Sequence, residues 1–289
     1  MTRAWKIKDR TLDIGTRTLI MGILNVTPDS FSDGGRFISA DQAIDHAQQM
    51  IAEGADIIDV GGESTRPGGE PVSAEEEIRR VIPVIEAIAS RTQTPISVDT
   101  TKSEVARAAL DAGASIVNDV SALRFDFYVA DAAAKAGAGL ILMHSRGTPA
   151  TIHRLPPVAD IMREVMSSLR SSVHMAERRE VKRDSIVIDP GIGFGKTQEQ
   201  NLELIAKLDQ LVAAFPDLPV LIGTSRKSFI GRILRDQSGN PAPSSERLYG
   251  TMASMAAAVL KGAHIVRVHD IKATVETLRV SESIKKALS

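Results

Sequence analysis

The sequence predicts an α/β protein of the parallel (β/α)8 class, a TIM barrel, preceded by an N-terminal β-hairpin. Three observations support this fold class: eight short apolar runs recur along the chain, amphipathic segments separate them, and a polar residue closes each run. With 289 residues and 43% hydrophobic side chains, the chain is long enough for one barrel. We therefore expect a single domain over residues 1–289.

Eight runs rich in Ile, Val and Leu are predicted as strands, because they are apolar on both faces, as in parallel sheets covered on both sides. These runs are Leu19–Val26, Asp56–Gly62, Ile96–Thr100, Ile116–Val120, Leu140–Ser145, Ile186–Gly191, Val220–Ser225 and Ile265–Asp270. Amphipathic spacing predicts helices between them, including Ala40–Glu53, Ser73–Ser90, Ser103–Ala112 and Ala159–Arg179. An open doubly wound sheet has the same alternation, so the pattern favours the barrel without excluding the open sheet.

The segment Trp5–Thr18 precedes the first predicted barrel strand and contains two short strand patterns around Asp9 and Arg10, with a second turn at Gly15. We expect a hairpin here that closes the bottom of the barrel. Two segments, Gly61–Val72 and Asp236–Ser245, interrupt the regular spacing and are predicted as loops.

The composition favours small molecules as partners. Lys and Arg total 35 and Asp and Glu total 36, so no overall charge would attract nucleic acid or a membrane surface. The absence of cysteine excludes disulfides, a Cys nucleophile and thiolate metal sites, and fits a reducing compartment. No apolar run approaches the ~20 residues of a membrane span, and the first residues lack the apolar core of a secretory signal. We expect a cytoplasmic protein.

A polar residue stands at or near the C-terminal end of each predicted strand. These residues are Asn25, Asp59, Asp99, Asn118, Asp119, His144, Asp189, Ser225, Arg267 and His269. In a barrel the C-terminal ends of the strands converge on one face, where the βα loops form the active site. Any single Asp or Asn could instead cap the following helix, but a complete ring favours a ligand site.

The residue types in this ring suit a flat heterocycle with N–H donors and carbonyl acceptors. Ionised carboxylates only accept hydrogen bonds, whereas an amide both donates and accepts. Asp99, Asn118 and Asp189 therefore match an amino-pyrimidinone edge better than a sugar or a lipid. Lys227 can donate to ring acceptors, and Met143 and Phe194 are predicted as polarizable walls.

A second group of residues predicts anion binding. Arg267 and His269 alternate with valines on the last strand, so both point to one side of the sheet, and barrel closure brings that strand beside Asn25. The three residues suit a diphosphate with Mg²⁺, because Mg²⁺ prefers phosphate oxygens and water to many protein ligands. The alternative is an arginine packed against a helix terminus. After strand seven, the backbone N–H groups of Lys227 and Ser228 begin a helix and suit a carboxylate or phosphate.

One motif resembles a different site. Gly195-Lys196-Thr197 ends like a P-loop, but that motif requires a glycine where this chain has Pro190, so we reject it. Gly191, Gly193 and Gly195 are predicted instead to let the backbone pass close to a ligand.

Seven motifs, in order and at the strand ends, resemble the dihydropteroate synthase family of pterin-binding barrels, the folate-pathway enzymes that sulfonamides inhibit. The motifs are GILNVTPDSFSDGG, DVGGESTRPG, SVDT, NDV, DPGIGFGK, TSRKSFIG and RVHD, from Gly22 to the last barrel strand. No position that the family uses for chemistry departs from its pattern.

The resemblance implies a role for each matching residue. The pterin would be held by Asp99, Asn118, Asp189 and Lys227, with Met143, Phe194 and Gly193 around it. The diphosphate would be held by Thr65, Arg267 and His269, with Asn25 reaching Mg²⁺. The 4-aminobenzoate site would be formed by Phe31, Arg66, Pro67, Lys227 and Ser228. The catalytic residues would be Asn25, Asp99, Asp189, Lys227, Arg267 and His269.

The implied reaction replaces the diphosphate of a pterin-methyl diphosphate by the amine of 4-aminobenzoate. Because that amine is neutral at pH 7, we expect an SN1-like substitution without a covalent enzyme intermediate. Two alternatives share the pterin-binding residues: a methyltetrahydrofolate methyltransferase, which has no use for a diphosphate clamp, and a paralogue that binds pterin without turnover. Family members are usually homodimers, and the apolar segment Met252–Val259 is a possible contact, although it is also typical of a core-facing helix.

Overall fold

The computed structural model describes residues 3–26, 40–63, 72–148, 151 and 155–287. Within these ranges the strands are β1 Arg3–Ile7, β2 Arg10–Ile14, β3 Leu19–Asn25, β4 Ile57–Gly61, β5 Ile96–Asp99, β6 Ile116–Asp119, β7 Gly139–Met143, β8 Ile186–Asp189, β9 Leu221–Ile222 and β10 Ile265–Val268. The helices are α1 Ala40–Glu53, α2 Ala74–Ala89, α3 Ser103–Asp111, α4 Tyr128–Ala136, α5 Ile161–Arg178, α6 Gln198–Ala206, α7 Leu208–Ala214, α8 Ser228–Ile233, α9 Leu248–Leu260 and α10 Ile271–Ala287.

The strands β3 to β10 form one parallel sheet in the order β8-β7-β6-β5-β4-β3-β10-β9. Its two edges meet, since Ile188 of β8 forms a parallel bridge with Val220. The backbone N–H of Ile188 also donates to the carbonyl oxygen of Pro219 at 3.0 Å. The sheet is therefore a closed barrel, as predicted, and the open doubly wound alternative is wrong.

The N-terminal hairpin closes the bottom of the barrel. β1 and β2 pair antiparallel, with Trp5 opposite Leu12, and Trp5, Ile7 and Ile14 are fully buried. The indole Nε1 of Trp5 donates to the carbonyl oxygen of Ser185 at 2.9 Å. These contacts confirm the predicted hairpin and its position.

The barrel has two apolar regions, one inside it and one outside. Inside, the hairpin packs on strand residues at the bottom: Leu19, Met21, Ile57, Ile116, Ile141, Val187, Leu221 and Ile265. Outside, strand residues such as Val60, Val98 and Val117 belong to one cluster with the helix residues Val81 and Val105. A Cβ on Gly139, where β7 begins, would lie 2.6 Å from the Ile7 side chain, so the hairpin packs directly on this backbone.

The four predicted helices are confirmed to within two residues at their ends, and α1 matches its prediction at both ends. Residues 236–245 form a loop, as predicted, apart from a 3₁₀ turn that begins at Ser244. The predicted loop over residues 61–72 is described only at its ends, because residues 64–71 lie outside the described ranges. Among the residues that are described, no helix combines the length and apolarity needed to cross a membrane.

Candidate active site

Four strands bring polar residues side by side at the top of the barrel. Strand register places Asn25 opposite Gly61, Gly61 opposite Asp99, and Asp99 opposite Asn118. A Cβ on Gly61 would lie 3.5 Å from the Cβ of Asp99 and 3.7 Å from the Oδ1 of Asn25. Gly61 therefore leaves open the space between the Asn25 amide and the Asp99 carboxylate.

An ion-pair cluster joins three of these strands to β10. The Arg267 guanidinium donates from Nε to the Oδ2 of Asp59 at 2.6 Å and from Nη2 to the Oδ2 of Asp99 at 2.7 Å. The amide Nδ2 of Asn118 donates to the same Asp59 oxygen at 3.1 Å. Asp59 is fully buried, and its Oδ1 has no partner among the described residues. One arginine therefore pairs with two carboxylates at the C-terminal ends of the strands, which form the rim of the barrel.

Burial controls the protonation of Asp99. It raises the pKa of this carboxyl to about 7, whereas the neighbouring Arg267 charge lowers it and the Asp59 charge raises it. With its side chain 12% exposed, Asp99 is accessible from the mouth of the barrel. Its ionised form near neutral pH thus depends on Arg267 remaining in place.

The opposite side of the rim is formed by the end of β8 and the loop after it. The Asp189 carboxylate accepts a hydrogen bond from the backbone N–H of Gly191 at 2.6 Å. The ammonium of Lys227 donates to the carbonyl oxygen of Ile192 and lies 4.7 Å from the centre of the Phe194 ring. Burial raises the pKa of Asp189 and lowers that of Lys227 to about 8, while their mutual attraction opposes both shifts.

Glycines mark where the two sides of the rim meet. A Cβ on Gly223 would lie 3.6 Å from the Arg267 Cβ and 4.0 Å from the Lys227 ammonium. A Cβ on Gly193 would lie 3.2 Å from the Cδ of Lys227. Met143 is buried, and its Cγ would lie 3.2 Å from a Cβ on Gly191. The predicted pterin-site residues therefore come together beside Arg267, which was predicted for the diphosphate. They are Asp99, Asn118, Met143, Asp189, Gly193, Phe194 and Lys227.

The predicted anion residues have partners within the protein. His269 Nδ1 lies 2.9 Å from the hydroxyl of Ser225, and which atom donates depends on the histidine tautomer. The backbone N–H of His269 donates to the same hydroxyl at 3.2 Å. The backbone N–H of Lys227 donates to the carbonyl oxygen of Thr224 at 3.2 Å. Ser228, at the start of α8, is exposed.

The residues Phe31, Thr65, Arg66 and Pro67 lie outside the described residues. The described chain before residues 64–71 ends at Glu63, whose carboxylate pairs with the Lys102 ammonium. Lys102 also pairs with the buried Glu77 of α2 at 2.5 Å. Through Lys102, Glu63 is thus held close to α2 and to the segment after β5.

The strand-end residue Asp119 satisfies the local backbone, whereas the Nδ1 of His144 is buried without a partner among the described residues. The Asp119 carboxylate accepts hydrogen bonds from the backbone N–H groups of Ser121 at 2.8 Å and Leu123 at 2.6 Å. Burial raises its pKa to about 6. Burial lowers the pKa of His144 to about 2, so this imidazole is neutral. Asp119 therefore stabilises the turn after β6 and does not cap the following helix, which begins at Tyr128.

Two residues of this region received no role from the sequence. Asp59 was recognised only as one polar strand end among ten, although it accepts hydrogen bonds from both Arg267 and Asn118. Lys196 belongs to the P-loop-like motif, yet its ammonium contacts three backbone carbonyls. Long-range pairing of this kind has no local sequence signal.

The donor chemistry around Asn25 fits Mg²⁺ held mainly by a substrate. Its amide oxygen faces the gap above Gly61, and an amide oxygen is a hard ligand of the kind that Mg²⁺ prefers. In the described ranges no group of three or more His, Asp or Glu side chains could hold a metal ion. Substrate oxygens and water would therefore supply most of the ligands.

Comparison with known proteins gives consistent results. A family model described as "Pterin binding enzyme" matches residues 21–269. A dihydropteroate synthase of Synechocystis sp. is 48% identical over 272 residues, which cover 94% of this chain and 92% of that protein. The solved dihydropteroate synthase of Yersinia pestis, in a sulfonamide drug complex, superposes with a TM-score of 0.90 at 40% identity, covering 98% of this chain and 99% of that one. The Xanthomonas albilineans enzyme with 4-aminobenzoic acid gives a TM-score of 0.87 at 41% identity, with 98% of both chains covered.

Proposed function

The chain belongs to the pterin binding enzyme family and, within it, to the dihydropteroate synthases, and we propose that it condenses (7,8-dihydropterin-6-yl)methyl diphosphate with 4-aminobenzoate. The products are 7,8-dihydropteroate and diphosphate. The chain is therefore an enzyme, a transferase of folate biosynthesis. The observation that carries the proposal is the Arg267 guanidinium bound to Asp59 and Asp99 inside the polar rim.

The pterin ring fits the rim by hydrogen-bond type. Asp99 and Asp189 are carboxylates on opposite sides of the pocket and accept hydrogen bonds from the ring N–H groups. The Asn118 amide is held by Asp59 through its N–H, so its carbonyl oxygen is free to accept a ring N–H. The Lys227 ammonium is in place to donate to a ring acceptor. The Met143 and Phe194 side chains provide apolar contact.

Arg267 has hydrogen-bonding capacity left for the diphosphate. A guanidinium carries five N–H donors, and the contacts with Asp59 and Asp99 use two of them. The remaining donors are available to a phosphate without breaking either ion pair. His269 and Thr65 would hold the same group, and Asn25 would reach Mg²⁺, which neutralises charge on the leaving diphosphate.

The bond between the pterin methylene carbon and the diphosphate oxygen breaks with its electron pair leaving on oxygen. Arg267 and His269 stabilise the negative charge that develops there, because preorganised donors act strongly where charge appears in the transition state. Asp189 and Asp99 stabilise the cationic pterin. The neutral aromatic amine then forms the carbon–nitrogen bond and releases one proton. The step is SN1-like because the carbon–oxygen bond breaks before the carbon–nitrogen bond forms, and no protein nucleophile is required.

The second substrate enters above Lys227. We place the 4-aminobenzoate carboxylate near Lys227 and Ser228, with Phe31, Arg66 and Pro67 completing the site. Ser228 is exposed at the start of α8, and the ammonium of Lys227, whose pKa burial lowers to about 8, is charged at neutral pH and attracts a carboxylate. Binding of 4-aminobenzoic acid by the Xanthomonas albilineans relative supports this placement.

The test is an assay of diphosphate release. The chain is mixed with the pterin diphosphate, Mg²⁺ and 4-aminobenzoate, and free diphosphate is measured with time. We expect release that requires both the amine and Mg²⁺, and the Asp189→Asn variant should lose it. Pterin binding without any diphosphate release would contradict the proposal and indicate the silent paralogue.

We also propose a cytoplasmic homodimer. Exposed apolar residues recur every three or four positions on two helices that pack together: Tyr249, Ala253, Ala257 and Leu260 on α9, and Val280 and Ile284 on α10. Within the predicted segment 252–259, Met255, Ala258 and Val259 face the core instead. Sedimentation velocity should give two copies for the wild-type chain and one for Val280→Asp, and a monomeric wild type would contradict the proposal.

A further inference from the structure

Lys196 has an unusual set of contacts for a lysine at the edge of an active site. Its ammonium donates to the carbonyl oxygens of Gly191 at 2.7 Å, Phe194 at 3.1 Å and His144 at 3.3 Å. An ammonium has three N–H donors, and these contacts use all three. Burial lowers the pKa of Lys196 well below its usual value, while the Asp189 charge raises it. A neutral amine has only two N–H groups, so the three carbonyl contacts favour the charged form against this desolvation.

These three contacts exclude phosphate binding by Lys196, the role that the P-loop-like motif suggests. A phosphate-binding lysine presents at least one N–H group to its ligand. The three carbonyl oxygens leave none on Lys196. Its ammonium is therefore part of the loop architecture, and a bound anion would have to displace one of those carbonyls.

The backbone around Lys196 is packed closely enough to need such a cation. A Cβ on Gly191 would lie 1.9 Å from the His144 carbonyl oxygen, and one on Gly195 would lie 2.6 Å from the Arg146 Cβ. The end of β7 and the loop after β8 thus approach each other with carbonyl groups at the contact. Carbonyl dipoles that point at one place repel, and a shared ammonium converts the repulsion into attraction.

The loop fixed in this way lines the proposed pterin pocket. Lys196 holds the carbonyls of Gly191 and Phe194, and Lys227 donates to the carbonyl of Ile192 between them. The Phe194 ring lies 4.7 Å from the Lys227 ammonium. A change in the loop would therefore move an apolar wall of the pocket and an acceptor of Lys227 together.

The Lys196 charge also acts on Asp189. Burial raises the pKa of Asp189, while Lys227, the hydrogen bond from the Gly191 N–H and Lys196 each lower it. Removing the Lys196 charge should therefore raise the pKa of Asp189. The pH below which Asp189 is protonated, and no longer accepts a pterin N–H, would move upward.

We propose that Lys196 is a positioning residue for the pterin pocket, acting through the loop of residues 191–195 and through Asp189 without touching the substrate. The proposal rests on the function proposed above. It makes a specific claim about which substrate is affected. Pterin binding should depend strongly on Lys196. The 4-aminobenzoate site should depend on it less, because that site shares only Lys227 with the loop and otherwise uses Ser228 and the segments after β3 and β4.

The experiment compares Lys196→Met and Lys196→Gln with the wild-type chain. We expect the KM for the pterin diphosphate to rise at least about tenfold, because small displacements of positioning groups carry effects of this size. The KM for 4-aminobenzoate should stay within about twofold. Calorimetric titration with 6-hydroxymethylpterin, which carries no diphosphate, should show a similar loss of pterin affinity. The fall of this affinity at acid pH, the acid limb of the pH profile, should shift to higher pH.

Lys207→Met is the matched control, because Lys207 is an exposed lysine nearby on the chain, directly after α6, that forms an ion pair with Glu203 of that helix at 2.6 Å. It should leave both KM values and the pH profile unchanged. Lys196→Arg keeps the charge and should leave the acid limb near its wild-type position while pterin affinity falls.

Wild-type pterin affinity and an unmoved acid limb in Lys196→Met would overturn the proposal. Unfolding of both neutral variants would also overturn it in favour of a purely structural role. Failure of the wild-type chain to bind 6-hydroxymethylpterin or to release diphosphate would instead refute the proposed function.

Discussion

The bottom and the top of the barrel interior are built by the same strands but have opposite chemistry. On four strands a bottom apolar residue and a polar residue at the top are two positions apart, and a step of two keeps both side chains on the interior face. The pairs are Ile57 and Asp59, Ile116 and Asn118, Val187 and Asp189, and Ile265 and Arg267. At the bottom, Trp5 of the hairpin seals the apolar layer, whereas at the top Arg267 compensates two carboxylates. Stability and chemistry are thus divided between two layers of one barrel.

The division matters because the two layers respond differently to mutation. Burial of apolar surface stabilises the fold in proportion to area, whereas a buried ion pair costs desolvation that its attraction only partly offsets. Loss of an apolar residue at the bottom should therefore change the free energy of unfolding and leave turnover alone. Loss of a charge at the top should change turnover first.

Trp5→Ala should have the largest effect on stability. Trp5 is fully buried beneath the barrel, and removal of such a side chain costs about 3–5 kcal/mol of unfolding free energy. Denaturant unfolding measures this change, and kcat at a temperature where the variant remains folded should match the wild type. Trp5→Phe keeps one ring but loses the hydrogen bond to the Ser185 carbonyl oxygen, so its loss of unfolding free energy should be smaller. A parallel fall in kcat would show that the two layers are not separable.

Arg267→Ala should have the largest effect on chemistry. It removes the donors for the diphosphate and leaves Asp59 and Asp99 without their cation, so kcat should fall about 10²- to 10³-fold. Steady-state kinetics with saturating substrates measures this. Arg267→Lys, which keeps the charge but not the forked geometry, should recover only part of the rate. Near-normal turnover of the alanine variant would exclude the role of Arg267.

The fold could be predicted because its signals are local. Runs of Ile and Val gave the strands, and Gly and Pro content gave the loop over residues 236–245. The closure of the sheet between Ile188 and Val220 has no local signal, which is why the pattern alone left the open sheet possible. Closure follows from the accumulated twist and register of all the strands.

The site was predictable in its residue types and not in its pairing. Asp99, Asn118, Asp189 and Arg267 were each recognisable as polar strand ends, and the barrel brings them together. Which carboxylates Arg267 selects depends on the register between β10, β3, β4 and β5, which no single segment contains. The pairing of Asp59 with Arg267 and the contact of Lys196 with the His144 carbonyl oxygen are both long-range, so neither has a local sequence signal.

Lys227 should give the top layer a pH dependence that the bottom layer lacks. Burial lowers its pKa to about 8 from an unfolded value of 10.5, so its charge in the folded chain is lost as pH rises through about 8. Substrate affinity should fall above that pH, by about tenfold for each further unit. Between pH 8 and 10.5 the unfolded chain binds more protons at this site, so the contribution of Lys227 to the unfolding free energy rises with pH.

Affinity and this stability contribution therefore change in opposite directions over the same pH window. Substrate titrations and denaturant unfolding at matched pH values measure the two. Lys227→Arg, whose guanidinium stays charged, should abolish the fall of substrate affinity above pH 8, the alkaline limb of the profile. Trp5→Phe should retain this fall. An alkaline limb that persists in Lys227→Arg would assign it to another group.

Lys6→Ala should have the smallest effect, and it compares an exposed ion pair at the bottom with the buried pairs of Arg267 at the top. Lys6 lies 2.6 Å from Asp184, but their side chains are 54% and 41% exposed, against 21% for Arg267 and 0% for Asp59. Exposed pairs contribute about 0–1 kcal/mol, because water already solvates both charges and holding the side chains together costs entropy. Denaturant unfolding should therefore show a change below about 1 kcal/mol, with kcat unchanged. A loss as large as that of Trp5→Ala would mean that the hairpin is held by charge and not by the apolar layer beneath the barrel.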